Sequence, residues 1–340
     1  MTDDTDHLET KDVFIDTEAY VRERFNWEAK TFTRIAELAK KRQIHVLTTS
    51  ITKREVRNKI NEALTHAQSA LQKHEVVFEQ LSIATDNAKD GASERLLKSF
   101  DDFLKRVNAT EVPLTQNLET LFDDYFERVP PFSEGKKSEF PDAAVVHALK
   151  QFAAQTKKSI YVVSGDRDLM SCCADGSNLI HASSLSEIIS RATVTKKLHD
   201  DLLEFAVNDF TLRDDIRTQL RTANVFFYGL ARFADRIEVE ATVNGVENFN
   251  VVGLNVISRE VDQTLVCEIE CEACVGFSFK IQVGGRFEED DSESVWVFPS
   301  AEVTIDFNPD GISRFTYISG GLTSSLDVDA AEVYCLERFR

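Results

Sequence analysis

The sequence predicts an α/β domain followed by an antiparallel β domain. Three observations carry this. Short apolar strands alternate with amphipathic helices over residues 12–192, as in a parallel sheet covered on both faces. From Asn224 the texture changes to long alternating β-type runs. At 340 residues the chain is also too long for one ordinary domain.

Asp12–Ile15 reads as a strand closing on Asp16 and Thr17. A helix is expected from about Trp27 to Lys41, with Phe32, Ile35 and Leu38 inward and its basic end at Lys40 and Lys41. Ile44–Leu47 is a second strand, and Ser50 or Thr52 is the expected cap of the next helix. That helix runs from Lys53 to about Leu81 on a stripe of Val56, Ile60, Leu64, Ala67, Leu71 and Phe78, with Glu55 in its first turn. Two more helices, about 94–107 and 117–128, flank an extended link at Val112–Leu114; together they form a long helical insertion beside the sheet edge. Pro130–Pro131 end the second of these. After a loop to Phe140, Pro141 fits the first position of a helix and Asp142 its first turn. Ile160–Val163 is a fully apolar strand that stops at Ser164-Gly165-Asp166-Arg167-Asp168. Asn178–His181 and Leu185–Ala192 supply a last strand and helix.

The expected organisation is an acidic tail (1–11), an α/β domain (12–193), a helical linker (194–222) and a β domain (223–340). In the β domain Asn244-Gly245 carries a strong hairpin signal, Gly284-Gly285 and Asn308–Gly311 read as turns, and Glu288–Asp291 reads as an acidic hairpin loop. Cys267, Cys271 and Cys274, with remote Cys335, raise a zinc possibility; Cys267, Ile269, Cys271 and Ala273 share one face of an alternating strand, which favours core packing instead. Six scattered cysteines, an acidic N-terminus unlike a secretory leader and no apolar run of membrane-spanning length give a cytoplasmic, non-membrane expectation.

Charge is unevenly placed. Residues 200–340 carry 11 Lys+Arg against 27 Asp+Glu, whereas the remainder is nearly balanced. A nucleic-acid interface is therefore expected in the first half and not in the second. The acidic β domain is instead expected to take a protein partner or to self-associate, or to block the first domain until displaced.

Asp16, Glu55, Asp142, Asp166 and Asp168 each fall at a strand end or helix start, and such junctions gather on one edge of a parallel sheet. Convergent carboxylates repel unless a cation neutralises them, and hard divalent ions suit all-oxygen donors. Mg²⁺ or Mn²⁺ in such a place suits phosphodiester hydrolysis. Lys53, Arg54, Arg57, Lys136, Lys137 and Arg167 are the nearby candidates for phosphate contact.

A strand ending in Asp16, Glu55 on the following helix, Phe140-Pro141-Asp142-Ala143 and Ser164-x-Asp166-x-Asp168 together resemble the PIN domain over about residues 12–192. The Phe-Pro-Asp-Ala form with its preceding lysines resembles a bacterial PIN-like subgroup with long helical insertions. The resemblance implies a Rossmann-like parallel sheet and a metal-dependent nuclease, in most cases a ribonuclease. It implies that Asp16, Glu55, Asp142 and Asp166 hold metal directly or through water, with Asp168 as a fifth member and Ser164 orienting a carboxylate. The expected activity is endonucleolytic cleavage of RNA, with a toxin or defence role. A structure-specific DNA nuclease and a non-catalytic protein-binding scaffold are the alternatives.

Overall fold

A computed structural model describes residues 8–73, 91–114, 118–132, 140–173, 178–222, 237–259, 264–283, 286–297, 299–308, 311–317 and 323–324. The chain divides into two compact units, Met1–Thr193 and Val194–Arg340.

In the first unit β1 (Asp12–Ile15), β2 (His45–Thr48), β3 (Thr110–Glu111), β4 (Ile160–Val163) and β5 (Leu179–Ala182) form one sheet in the order β3-β2-β1-β4-β5. Every pairing is parallel. The two-residue β3 lies where the sequence suggested only an extended link. It shows no apolar alternation, and its two side chains are exposed at the sheet edge.

Strand pleating sends alternate residues to opposite faces. Val13, Ile15, Tyr161 and Val163 point to one face and join the core of α1 (Thr17–Arg22), α2 (Lys30–Lys40), α3 (Ser50–Lys73) and α4 (Ala92–Arg106). Aromatic rings fix these helices: Tyr20 packs within 5.5–6.1 Å of Trp27, Phe32, Phe100 and Phe103. Phe14, Ile160 and Val162 point the other way, against Val146, Leu149 and Ala153 of α6 (Phe140–Thr156). α5 (Leu118–Glu127), α7 (Arg167–Ser171) and α8 (Leu185–Thr193) complete the described elements of this unit.

Some local expectations shift. α2 begins at Lys30 rather than Trp27. Thr49, not Ser50 or Thr52, caps α3: its Oγ1 accepts from the Thr52 N–H at 3.1 Å. With α3 starting at Ser50, Glu55 lies in the second turn. The tail before Leu8 and the expected run of this helix beyond Lys73 lie outside the described residues.

The second unit is an antiparallel sheet with two helices on it. β6 (Ile237–Arg259) pairs with β7 (Thr264–Val283), which pairs in turn with β8 (Arg286–Val297) and β9 (Pro299–Asn308). β10 (Gly311–Tyr317) and β11 (Thr323–Ser324) add to β9. Asn244-Gly245 is not a hairpin. It is a bulge inside β6, where the register slips between Val243 and Gly245 while the ladder with β7 continues on both sides. Nor is Glu288–Asp291 a loop, because it lies within β8. Gly284 and Gly285 lie outside the described residues, between paired Val283 and Arg286.

α9 (Lys196–Asn208) and α10 (Phe210–Thr222) occupy the segment expected to link the domains. They form a layer of the second unit: Leu202, Ala206, Leu212, Ile216 and Leu220 share one core with Leu254, Ile269, Val303 and Ile305. Cys267 and Cys271 are buried in that same core. Burial pushes the Cys271 thiol up to about 12, so it packs as a neutral side chain. Cys335 lies outside the described residues. Among the described residues no helix is long and apolar enough to cross a membrane.

Candidate active site at the carboxyl edge of the parallel sheet

The chain runs from β1 outward to β2 and β3, then returns to place β4 on the other side of β1. The reversal opens a crevice beyond the carboxyl ends of β1 and β4, the usual ligand position in open α/β sheets. Both strands end there in acidic sequence, and the Asp16 N–H donates to the Val163 carbonyl at 3.1 Å.

Asp16 is 8% exposed and caps α1, with its Oδ2 accepting from the Glu18 N–H at 3.4 Å. Ser164 is fully buried and donates its hydroxyl to the same Oδ2 at 2.9 Å. The Ser164 Oγ accepts in turn from the Asp166 N–H at 3.1 Å. Its own N–H donates to the Ala182 carbonyl of β5 at 3.1 Å. One hydroxyl therefore ties the ends of two strands together through one carboxylate and one amide.

Asp166 is exposed and caps α7, accepting from the Asp168 and Leu169 N–H groups at 2.6 and 3.3 Å. Glu55 reaches the same edge from α3, where Thr17 donates its hydroxyl to Oε2 at 3.0 Å. Burial pushes the Asp16 carboxyl up to about 6; the Ser164 hydroxyl and the Thr17 and Glu18 amides oppose the rise, and the Glu18 charge adds to it. A carboxylate kept in a dry pocket with acidic neighbours is a site that a cation would stabilise.

Thr17 and Glu18 were not singled out from sequence. Glu18 accepts from the Gly165 N–H at 2.9 Å, so it bridges the same two strand ends as Asp16 does. A Cβ at Gly165 would meet the Glu18 carboxylate at 3.1–3.2 Å, so a side chain there would press on the acid that holds this turn. The available signal was adjacency: both residues directly follow a strand-terminal aspartate.

Asp142 is half-buried in the first turn of α6, as expected. Burial raises the thiol of Cys172, just past α7, to about 11; Lys150 and Ser171 oppose this, and the Asp168 and Asp142 charges add to it. The structure thus links Asp16, Ser164 and Asp166 by hydrogen bonds and brings in Glu55 through Thr17, while Asp142 opens α6 and Asp168 lies in the first turn of α7.

Among the described residues no three carboxylate, imidazole or thiol groups are drawn together as a ready-made metal cage. The donor chemistry nonetheless fits a hard ion. Mg²⁺ keeps several waters and is commonly held by one or two carboxylates together with substrate phosphate oxygens. Asp16 presents a carboxylate of that kind, and Ser164 ties it to the backbone amide that opens the Asp166 turn.

The basic candidates divide. Lys53 pairs with Glu111 of β3, and Arg57 with Asp101 of α4 at 2.6 Å, so both brace the helical insertion. Arg54 and Arg167 are exposed. Lys136 and Lys137 lie outside the described residues. His147 Nε2 lies 2.7 Å from Asp124 Oδ2, joining α6 to α5.

An open parallel α/β domain with an acidic carboxyl edge is the class that this sheet order defines. Residues 13–169 match the family model described as PIN domain, so the first unit of the chain is a PIN domain. The match ends before the second unit, and no curated protein matches the chain.

Proposed function

We propose that the protein is a metal-dependent endoribonuclease that hydrolyses RNA phosphodiester bonds with Mg²⁺ or Mn²⁺. PIN domains are in general nucleases, and this chain keeps an acid at every position of the motif (Asp16, Glu55, Asp142 and Asp166). The observation that carries the reading is the buried Asp16 carboxylate, joined to the Asp166 turn through the Ser164 hydroxyl at the switch between β1 and β4.

Asp16 and Asp166 would hold the ion, with Glu55 and Asp142 on bridging waters; the ion would activate water and neutralise phosphate charge. Ser164 fixes the carboxylate rotamer of Asp16, and Glu18 fixes the turn at Gly165. Arg54 and Arg167 offer sequence-independent phosphate contacts. A toxin or defence role and a cytoplasmic location go with this reading.

A second reading, a protein-binding scaffold without catalysis, draws on the absence among the described residues of a preformed metal cage. A thermal-shift titration with Mn²⁺ separates the two. The nuclease reading expects wild type to be stabilised and Asp16→Asn not to be, since a ligand stabilises only the state that binds it. No shift in either protein supports the scaffold. Cleavage of branched or flapped DNA in place of RNA would make the enzyme a structure-specific DNA nuclease.

A further inference from the structure

In the second unit a small cavity of about 190 Å³ lies between the start of α10 and β6, lined by Phe210, Arg213, Asp214, Arg217, Asn248 and Phe249. Arg213 and Arg217 stand four residues apart on one helix face. Both are half-buried, within the acidic half of the chain. Among the described residues neither guanidinium is paired with a carboxylate. Arg213 Nη2 donates to the Phe249 carbonyl at 3.1 Å, and Arg217 donates Nε and Nη2 to the Val246 carbonyl at 3.2 and 2.8 Å.

The local strand makes these carbonyls available. The register of β6 against β7 slips between Glu247 and Asn250, and Asn248 sits in the left-handed region at φ 48°. The bulge leaves Phe249 outside the ladder, where Arg213 takes up its carbonyl, while Arg217 takes that of Val246 just before the slip. Each guanidinium carries five N–H donors, so each retains donors beyond those bonds. The helix start does not supply the positive charge here, because Asp209 caps it by accepting from the Leu212 N–H at 2.7 Å.

We propose that this cavity binds a phosphomonoester. Two half-buried guanidiniums, neither paired with a carboxylate, match the charge and fork geometry of a phosphate dianion. Phe210, 79% exposed, offers a ring face at the mouth for a base attached to that phosphate. The Asp214 carboxylate and Asn248, which also line the cavity, would accept from sugar or base donors. The same chemistry is presented by a free mononucleotide and by the terminal phosphate of an RNA strand.

The test is calorimetric titration of full-length Asp16→Asn protein in EDTA, which silences the metal site and keeps the result independent of the nuclease reading. The probes are inorganic phosphate, AMP, and one oligoribonucleotide with and without a 5′ phosphate. Saturable binding of phosphate and AMP is expected, and Arg213→Gln should weaken both by about tenfold or more, as loss of a charge-assisted hydrogen bond does. Phe210→Ala, at a site with little structural load, should weaken AMP and leave phosphate unchanged. Tighter binding of the phosphorylated oligonucleotide than of AMP identifies an RNA end as the source; the reverse identifies a free nucleotide. Absence of phosphate binding at millimolar concentration, binding unaltered by Arg213→Gln in folded protein, or preference for a carboxylate such as benzoate over phosphate overturns the proposal.

Discussion

Asp16 carries two burdens that pull in opposite directions. Its folded-state pKa of about 6 stands above the ordinary 3.8, so folding favours its protonated form. The stability it allows is fully present below the unfolded value and is lost as pH rises through about 6. Asp16→Asn should therefore raise stability at neutral pH by roughly 1–3 kcal/mol without metal, and the gain should shrink as pH falls toward 4. Denaturant melts across that range check it, and the same variant should lose cleavage. Ser164→Ala should do the reverse for stability. Removing a fully buried hydroxyl that serves both Asp16 and the Asp166 amide should cost about 1–3 kcal/mol and lower activity as well, measured by melts and cleavage rates. The acids themselves were legible as residues, since strand-terminal aspartates stand out beside apolar runs. Their wiring was not: nothing in the sequence states that Ser164 faces Asp16 across 148 positions, or that Glu18 reaches Gly165.

At the scale of elements, α3 is what carries Glu55 to the edge, and its start depends on Thr49. That side chain is fully buried and caps the helix through the Thr52 N–H. Thr49→Ala should cost about 1–2 kcal/mol by chemical denaturation, in line with lost helix caps. It should also lower cleavage, because Thr17 meets Glu55 through that helix. The sequence misplaced this cap because Thr48, Thr49, Ser50 and Thr52 all offer hydroxyls, and composition does not choose among them. The bulged β6 shows the same limit in another form. Asn244-Gly245 favours a tight turn locally, but the long ladder with β7 outweighs it, and the local preference is accommodated as a register slip. Strands and helices with clean periodicity, such as β4 and α4, were legible. The two-residue β3 was not, because it is defined by pairing with β2 rather than by its own pattern.

Each unit buries its own core: the first packs both faces of its parallel sheet and ends with α8, and the core of the second starts at Val194. Residues 1–193 should then fold alone with a cooperative melt and retain cleavage. Limited proteolysis followed by calorimetry of the fragment checks this; a fragment that aggregates or melts without cooperativity would show that the units depend on each other. The charge contrast between the halves assigned the nucleic-acid interface to the first unit, and the PIN match falls there. The packing of 194–222 onto the β sheet was hidden from sequence, because an amphipathic helix reveals that it has a partner without naming it. The most direct test of the central claim is cleavage of labelled single-stranded RNA and DNA with Mn²⁺, Mg²⁺ or EDTA, comparing wild type with Asp16→Asn. RNA cut by metal-loaded wild type, and by neither the variant nor the EDTA control, is the predicted result. Folded wild-type protein that leaves RNA intact with both metals, or that cuts it equally well in EDTA, would contradict the account.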